Sequence, residues 1–177
     1  MSIVNPPGSD GILIIDFGSQ YTQLIARRIR ELGVYCEIYP YSISIEQIEK
    51  FSPHGIILSG GPETVTEATA PRVSPSLYSL GKPILGICYG MQAIALQLGG
   101  RVEAARKREY GYANITLKGR NDFLRVAAID GGHAGDELDV WMSHGDRVIE
   151  LPEGFEILAL SKNCLLYTSD AADARSS

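Results

Sequence analysis

Apolar positions change their spacing several times along the first hundred residues, and each change marks an element. Ile12-Leu-Ile-Ile15 is a short apolar run ending at Asp16, the pattern of a strand buried on both faces. Over residues 20–32, Tyr21, Leu24, Ile25, Ile29 and Leu32 share one face at helical spacing, and Gly33 stands where helices usually stop. Residues 35–39 alternate and predict a second strand. Ser44-Ile-Glu-Gln47 fits a capping box, which predicts a helix over 44–51. Gly55-Ile-Ile-Leu58 predicts a third strand, running into Ser59-Gly-Gly-Pro62. Pro83-Ile-Leu-Gly86 predicts a fourth, and residues 91–98, apolar nearly all round, a buried helix ended by Gly99 and Gly100.

Strands alternating with helices predict an α/β fold: a doubly wound, mostly parallel sheet with helices on both faces, flavodoxin-like in character. The second half changes. Residues 112–117, 124–129, 140–142 and 155–160 read as short strands without helices between them, expected as a mixed or antiparallel extension of the same sheet. Residues 1–10, with Pro6, Pro7, Gly8 and Ser9, read as a flexible leader. The last stretch, 164–177, has neither a clear period nor turn chemistry. It resembles translated sequencing-adapter read-through, so a non-native tail is expected there and the domain is expected over 11–163.

Composition narrows the classes. With 45% apolar and 21% charged residues in 177, the chain buries a real core and is not disordered. No apolar run is long enough to span a bilayer, and MSIVNPPGSDG shows no secretory pattern, so no membrane association is expected. A net charge of -5 argues against nucleic acid as a partner, since such binding draws on phosphate neutralisation. Cys36, Cys88 and Cys164 are too few and too far apart for a disulfide framework or zinc site, and free thiols suit the cytoplasm. His54 and His133 read as solvated loop residues, Cys36 as strand core, and the alternating charges of 101–108 as a solvated face.

The sharpest chemical signal is Gly86-Ile-Cys-Tyr-Gly90, between an apolar strand and a buried helix. It fits a nucleophile elbow with Cys in place of Ser. Such a turn lifts Cys88 out at the carboxyl end of a strand, against a helix N-terminus whose dipole favours thiolate. The Tyr89 N–H would supply one half of an oxyanion hole. The alternative is a structural cysteine flanked by packing glycines. Ser59-Gly-Gly-Pro62 ends the preceding strand and in a parallel sheet can lie beside the elbow, so the Gly60 N–H could supply the second donor, or the segment could be a plain glycine turn. Ser143-His-Gly-Asp146 carries a histidine that serves either as a base for Cys88 or as part of a substrate loop.

Five segments, in order, carry a resemblance: DFGSQYTQLIARR at 16–28, LSGGP at 58–62, GICYGMQ at 86–92, LGG at 98–100 and WMSHGD at 141–146. Together they resemble the class-I (triad) glutamine amidotransferase domains, and the first and last point to the GMP synthase branch. The resemblance implies that Cys88 attacks the glutamine side-chain amide to give a thioester, with Gly60 and Tyr89 holding the oxyanion. It implies that Gly61, Gln92, Ser143, His144, Gly145 and Asp146 bind glutamine. Ammonia would pass to a synthetase domain that uses ATP and magnesium to aminate XMP; no cofactor is implied for the present domain.

One departure stands out. The family completes its triad with a His-x-Glu pair, and none of the three histidines here is followed by glutamate two places on. The resemblance therefore implies a domain truncated before its base, and a chain nearly inactive alone. Other readings are a different cysteine-elbow hydrolase, a DJ-1-like thiol protein, or a non-catalytic subunit that docks on a synthetase.

Overall fold

A computed structural model describes residues 11–118, 137–161 and 168–171. The chain forms two compact units, Met1–Gln97 and Leu98–Ser177. The first holds β1 (Ile12–Asp16), α1 (Thr22–Glu31), β2 (Cys36–Pro40), α2 (Ile45–Phe51), β3 (Gly55–Leu58), a 3-10 turn (Pro75–Ser79), β4 (Ile84–Gly86) and α3 (Tyr89–Gln97). The strands are parallel in the order β2-β1-β3-β4. From β1 the chain steps outward to β2, then back across to β3. Right-handed crossovers taken in opposite directions place α1 and α2 on opposite faces. The carboxyl ends of β1 and β3 thus flank the point where the winding reverses, where open α/β sheets bind ligands.

Local chemistry explains these elements. Leu13, Ile14 and Ile15 are fully buried, as a central strand covered on both faces requires. Ile14, Ala26 and Cys36 form a cluster joined by Ile12, Ile25, Ile29, Ile38 and Ile57, which binds α1 to the sheet. The capping box is made: the Gln47 N–H donates to Ser44 Oγ at 3.3 Å and the Ser44 N–H donates to Gln47 Oε1 at 3.2 Å.

The second unit holds β5 (Arg101–Leu117), β6 (Glu137–Glu150), β7 (Phe155–Ser161) and β8 (Thr168–Ala171), antiparallel in the order β6-β5-β7-β8. These strands form a sheet of their own, not an extension of the first. Ile115, Leu117, Leu158 and Ala159 are its core, with Leu138 and Val140 packed on them. Two strands are much longer than their pattern suggests. β5 includes residues 101–108, and β6 runs straight through 143–146, expected as a loop. Pairing between β5 and β6 satisfies that backbone; where Arg101, Glu103, Arg147 and Glu150 are exposed, polar side chains hide the strand from a hydrophobic reading. Within the expected tail, residues 168–171 pair with β7. The expected leader at 1–10 and strand at 124–129 lie outside the described residues, as do His133 and Cys164. Among the described residues no helix is long and apolar enough to cross a membrane.

Candidate active site

The turn after β4 is built by hydrogen bonds to β3. Leu58 pairs with Gly86, and the Ile87 N–H then donates to the Leu58 carbonyl at 2.9 Å. Cys88 adopts φ +51°, a left-handed conformation shared among non-glycine residues only with Ser52 in the described chain. For a residue bearing a Cβ this costs about 1–2 kcal/mol. The Gly90 N–H bridges to the carbonyls of Ile87 and Ser59, each at 3.0 Å, and the Gln92 N–H donates to the Cys88 carbonyl at 3.2 Å, opening α3. The two glycines are required by space. A Cβ on Gly86 would meet the Met91 nitrogen at 2.5 Å, and one on Gly90 would meet the Leu58 carbonyl carbon and Cβ at 2.7 Å.

The diglycine lies beside this turn. A Cβ on Gly60 would be 3.7 Å from the Cys88 Cβ and 3.3 Å from Ser19 Oγ; one on Gly61 would meet the Phe17 carbonyl oxygen at 2.9 Å and Tyr89 Cγ at 3.3 Å. The loop after β1 closes the other side through Asp16. Its Oδ1 accepts from the Gly18 N–H at 2.9 Å, the Ser19 N–H at 3.3 Å and the Thr22 hydroxyl at 2.7 Å, and stands 3.4 Å from Ser59 Oγ. Ser59 Oγ accepts the Phe17 N–H at 3.1 Å and stands 2.9 Å from the Gly60 carbonyl oxygen. The Tyr89 ring tilts against Phe17 at 5.1 Å, and its hydroxyl donates to the Pro71 carbonyl at 2.7 Å.

Burial pushes the Cys88 thiol above its ordinary value. This corrects the expectation of a helix-stabilised thiolate. α3 has nine residues and offers only a partial charge at its start, whereas loss of solvent penalises the whole charge of the thiolate. A neutral nucleophile of this kind needs a base. The Cys36 thiol is also raised by burial, and its Sγ donates to the Ala26 carbonyl at 3.5 Å, a core role as expected.

The structure brings Cys88, Tyr89, Gly60 and Gly61 together at one edge of the parallel sheet. Gln92 lies one turn into α3 and is buried. Ser143, His144, Gly145 and Asp146 belong to β6 in the second unit, where Ser143 pairs with Tyr110, His144 with Glu109 and Asp146 with Ala104 across an irregular stretch of β5. Asp146 is buried there. His54 is exposed at the amino end of β3, away from Cys88. Asp16, Ser19 and Ser59 border the site without a role assigned from the sequence; the aspartate at the end of the first strand, two places before a glycine, was the available signal. Among the described residues no group of three His, Cys, Asp or Glu side chains could hold a metal ion.

Residues 13–168 match the family described as glutamine amidotransferase class-I. The chain is 59% identical over 157 residues to a GMP synthase [glutamine-hydrolyzing] of Nitrosococcus oceani, covering 88% of this chain and 30% of that protein. It is 57% identical over 157 residues to the protein of that name from Legionella pneumophila strain Philadelphia 1, covering 86% and 29%. It thus spans about 30% of the length of these curated relatives. Among solved structures it is similar to a Thermoplasma acidophilum chain described as a subunit of GMP synthase, with a TM-score of 0.76 and 30% identity over 92% of this chain and 78% of that one. A glutamine amidotransferase of Thermotoga maritima shares the fold, with a TM-score of 0.68 and 20% identity, covering 92% of this chain and 72% of that one.

Proposed function

We propose, since this chain belongs to the class-I glutamine amidotransferase family, that it is the glutamine-hydrolysing part of a cytoplasmic GMP-forming enzyme. The observation that carries this is a half-buried thiol held at φ +51° at the end of β4, with the diglycine of the adjacent strand in contact range. In this reading the Cys88 sulfur attacks the side-chain amide carbon of glutamine. The carbonyl π electrons move onto oxygen, which the N–H groups of Tyr89 and Gly60 stabilise. Collapse of the adduct expels ammonia, which leaves with the proton first taken from the thiol, and forms a glutamyl thioester. Water then releases glutamate and restores the thiol.

Gly61 and Gln92 would shape the glutamine pocket, and the family resemblance gives Ser143, His144, Gly145 and Asp146 a part in binding glutamine as well. Because the thiol is raised by burial, the reading requires a proton acceptor. The family takes it from a His-x-Glu segment, which these 177 residues do not contain. Triad members act as a unit, so this chain alone should turn over glutamine more slowly than the intact enzyme by about 10⁴–10⁶-fold. Ammonia would serve amination of XMP in a synthetase portion, where ATP and magnesium belong; no step at Cys88 passes through either.

The test is the intact enzyme: this chain continued through the His-x-Glu segment and the synthetase portion. It should release ammonia from glutamine and lose activity when a glutamine-mimicking alkylator modifies Cys88. Cys88→Ala should abolish GMP formation from glutamine and leave formation from added ammonia. An enzyme that ignored glutamine and hydrolysed simple esters would refute the assignment, as would full glutamine-dependent activity in Cys88→Ala.

A further inference from the structure

We infer that Asp16 and Ser59 are positioning residues for amide hydrolysis at Cys88, because together they fix the Gly60–Gly61 peptide plane, which directly follows the plane that carries the Gly60 N–H and limits how far Gly60 can turn. The inference rests on the reading of Cys88 as nucleophile and goes beyond it to residues that do not touch the substrate.

Glycine peptides lack the steric restraint a Cβ gives, so two in succession need another means of holding one orientation. Both planes here are anchored through their carbonyl oxygens. The plane between residues 59 and 60 is held by the Gly90 N–H on the Ser59 carbonyl at 3.0 Å. The plane between 60 and 61 is held by Ser59 Oγ, 2.9 Å from the Gly60 carbonyl. Ser59 is wholly buried, at 0% exposure, so a misdirected hydroxyl would have no water to fall back on.

A hydroxyl has one hydrogen and here two acceptors, Gly60 O at 2.9 Å and Asp16 Oδ1 at 3.4 Å. The shorter contact takes the hydrogen the better, and the Phe17 N–H, at 3.1 Å, occupies a lone pair and orients the group. Asp16 sets that N–H in place. Its carboxylate gathers the Gly18 and Ser19 N–H groups and the Thr22 hydroxyl, closing the loop that carries Phe17. The chain of dependence therefore runs from Asp16 through the Phe17 peptide and Ser59 to the Gly60 carbonyl, in the plane next to the one that carries the Gly60 N–H and that the Gly90 N–H holds. Donors fixed before the reaction stabilise a developing oxyanion without reorganising, and loosened donors lose that advantage.

The competing reading is that this network only closes the β1–α1 turn. The two differ in the step they affect. In the intact enzyme, Ser59→Ala should lower the glutaminase kcat by ~10–100-fold with KM for glutamine held within ~3-fold. Affinity for glutamate γ-semialdehyde, which adds the thiol to form a tetrahedral centre, should fall in parallel. Alkylation of Cys88 by iodoacetamide displaces iodide at a saturated carbon and forms no oxyanion, so its rate should stay within ~2-fold. Asp16→Asn keeps an oxygen for the two N–H groups and should shift the same readouts in the same direction by less; it serves should Ser59→Ala fail to fold. A wild-type kcat in these variants, or alkylation falling as far as kcat, would overturn the inference. A wild-type enzyme without glutaminase activity would overturn the reading of Cys88, a result distinct from an active enzyme indifferent to Ser59.

Discussion

Gly90 sits directly against Leu58: a methyl group on Gly90 would come within 2.7 Å of both the carbonyl carbon and the Cβ of Leu58. The atoms in the way are mostly backbone of a buried strand and cannot swing aside. Gly90→Ala should therefore destabilise the first unit by about 1–3 kcal/mol, as overpacked cores do. Urea unfolding followed by circular dichroism would measure the loss, and a midpoint equal to wild type would show that the turn is looser than described.

Cys88 carries strain that glycine would not. Replacing it in a left-handed conformation recovers about 1–2 kcal/mol, and the greater freedom of glycine in the unfolded chain takes back about 0.5–1 kcal/mol. Cys88→Gly should thus be more stable than wild type, by up to about 1.5 kcal/mol. Cys88→Ala, keeping a Cβ, should not share the gain. In the intact enzyme both should lack glutaminase activity.

The raised thiol gives a pH dependence with a definite sign. Burial keeps Cys88 neutral to higher pH in the folded chain than in the unfolded one. Iodoacetamide alkylation of the folded chain should therefore rise with pH through a midpoint above that of the same cysteine in urea. The matching stability is present below the unfolded thiol's pKa and is lost as pH rises through the folded value. Peptide mapping separates Cys88 from Cys36, whose burial in the α1–β2 cluster should leave it the slower of the two to react. A midpoint below that of the unfolded chain would restore the helix dipole as the governing influence.

Tyr89 separates packing from hydrogen bonding. Tyr89→Phe keeps the ring against Phe17 and Gly61 and removes the bond from the hydroxyl to the Pro71 carbonyl, for a loss of about 1 kcal/mol. Tyr89→Ala also removes the ring, and should cost about 3–5 kcal/mol. Thermal unfolding of the two variants side by side would distinguish them; equal losses would mean that the hydroxyl, not the ring, is the main tie.

The first unit was largely legible in its sequence. The apolar run at 12–15, the helical spacing at 20–32 and the Ser44–Gln47 box each fall within a residue or two of an element, because a buried parallel sheet writes its burial into the chain. The elbow was legible because crowding at Gly86 and Gly90 dictates residue type. The second sheet was not. Its longest strands carry Arg101, Glu103, Arg147 and Glu150 on exposed positions, and their pairing is decided by backbone partners more than forty residues apart along part of the ribbon. Asp16 was legible as the end of a strand and the head of the segment 16–28, without a role of its own. That its carboxylate gathers donors from Gly18, Ser19 and Thr22 and stands beside Ser59 Oγ depends on contacts between two loops.

The rung that joins Leu58 to Gly86 has a consequence for any attempt to move this chemistry elsewhere. Sulfur and amides arrive on neighbouring rails of one ladder, and a slip of a single step would carry the bend roughly 3.3 Å along its neighbour and turn its side chains to the other face. The reactive bend is therefore no portable cassette: grafted into a host without its two companion strands, it would keep the cysteine and leave behind what makes the cysteine useful.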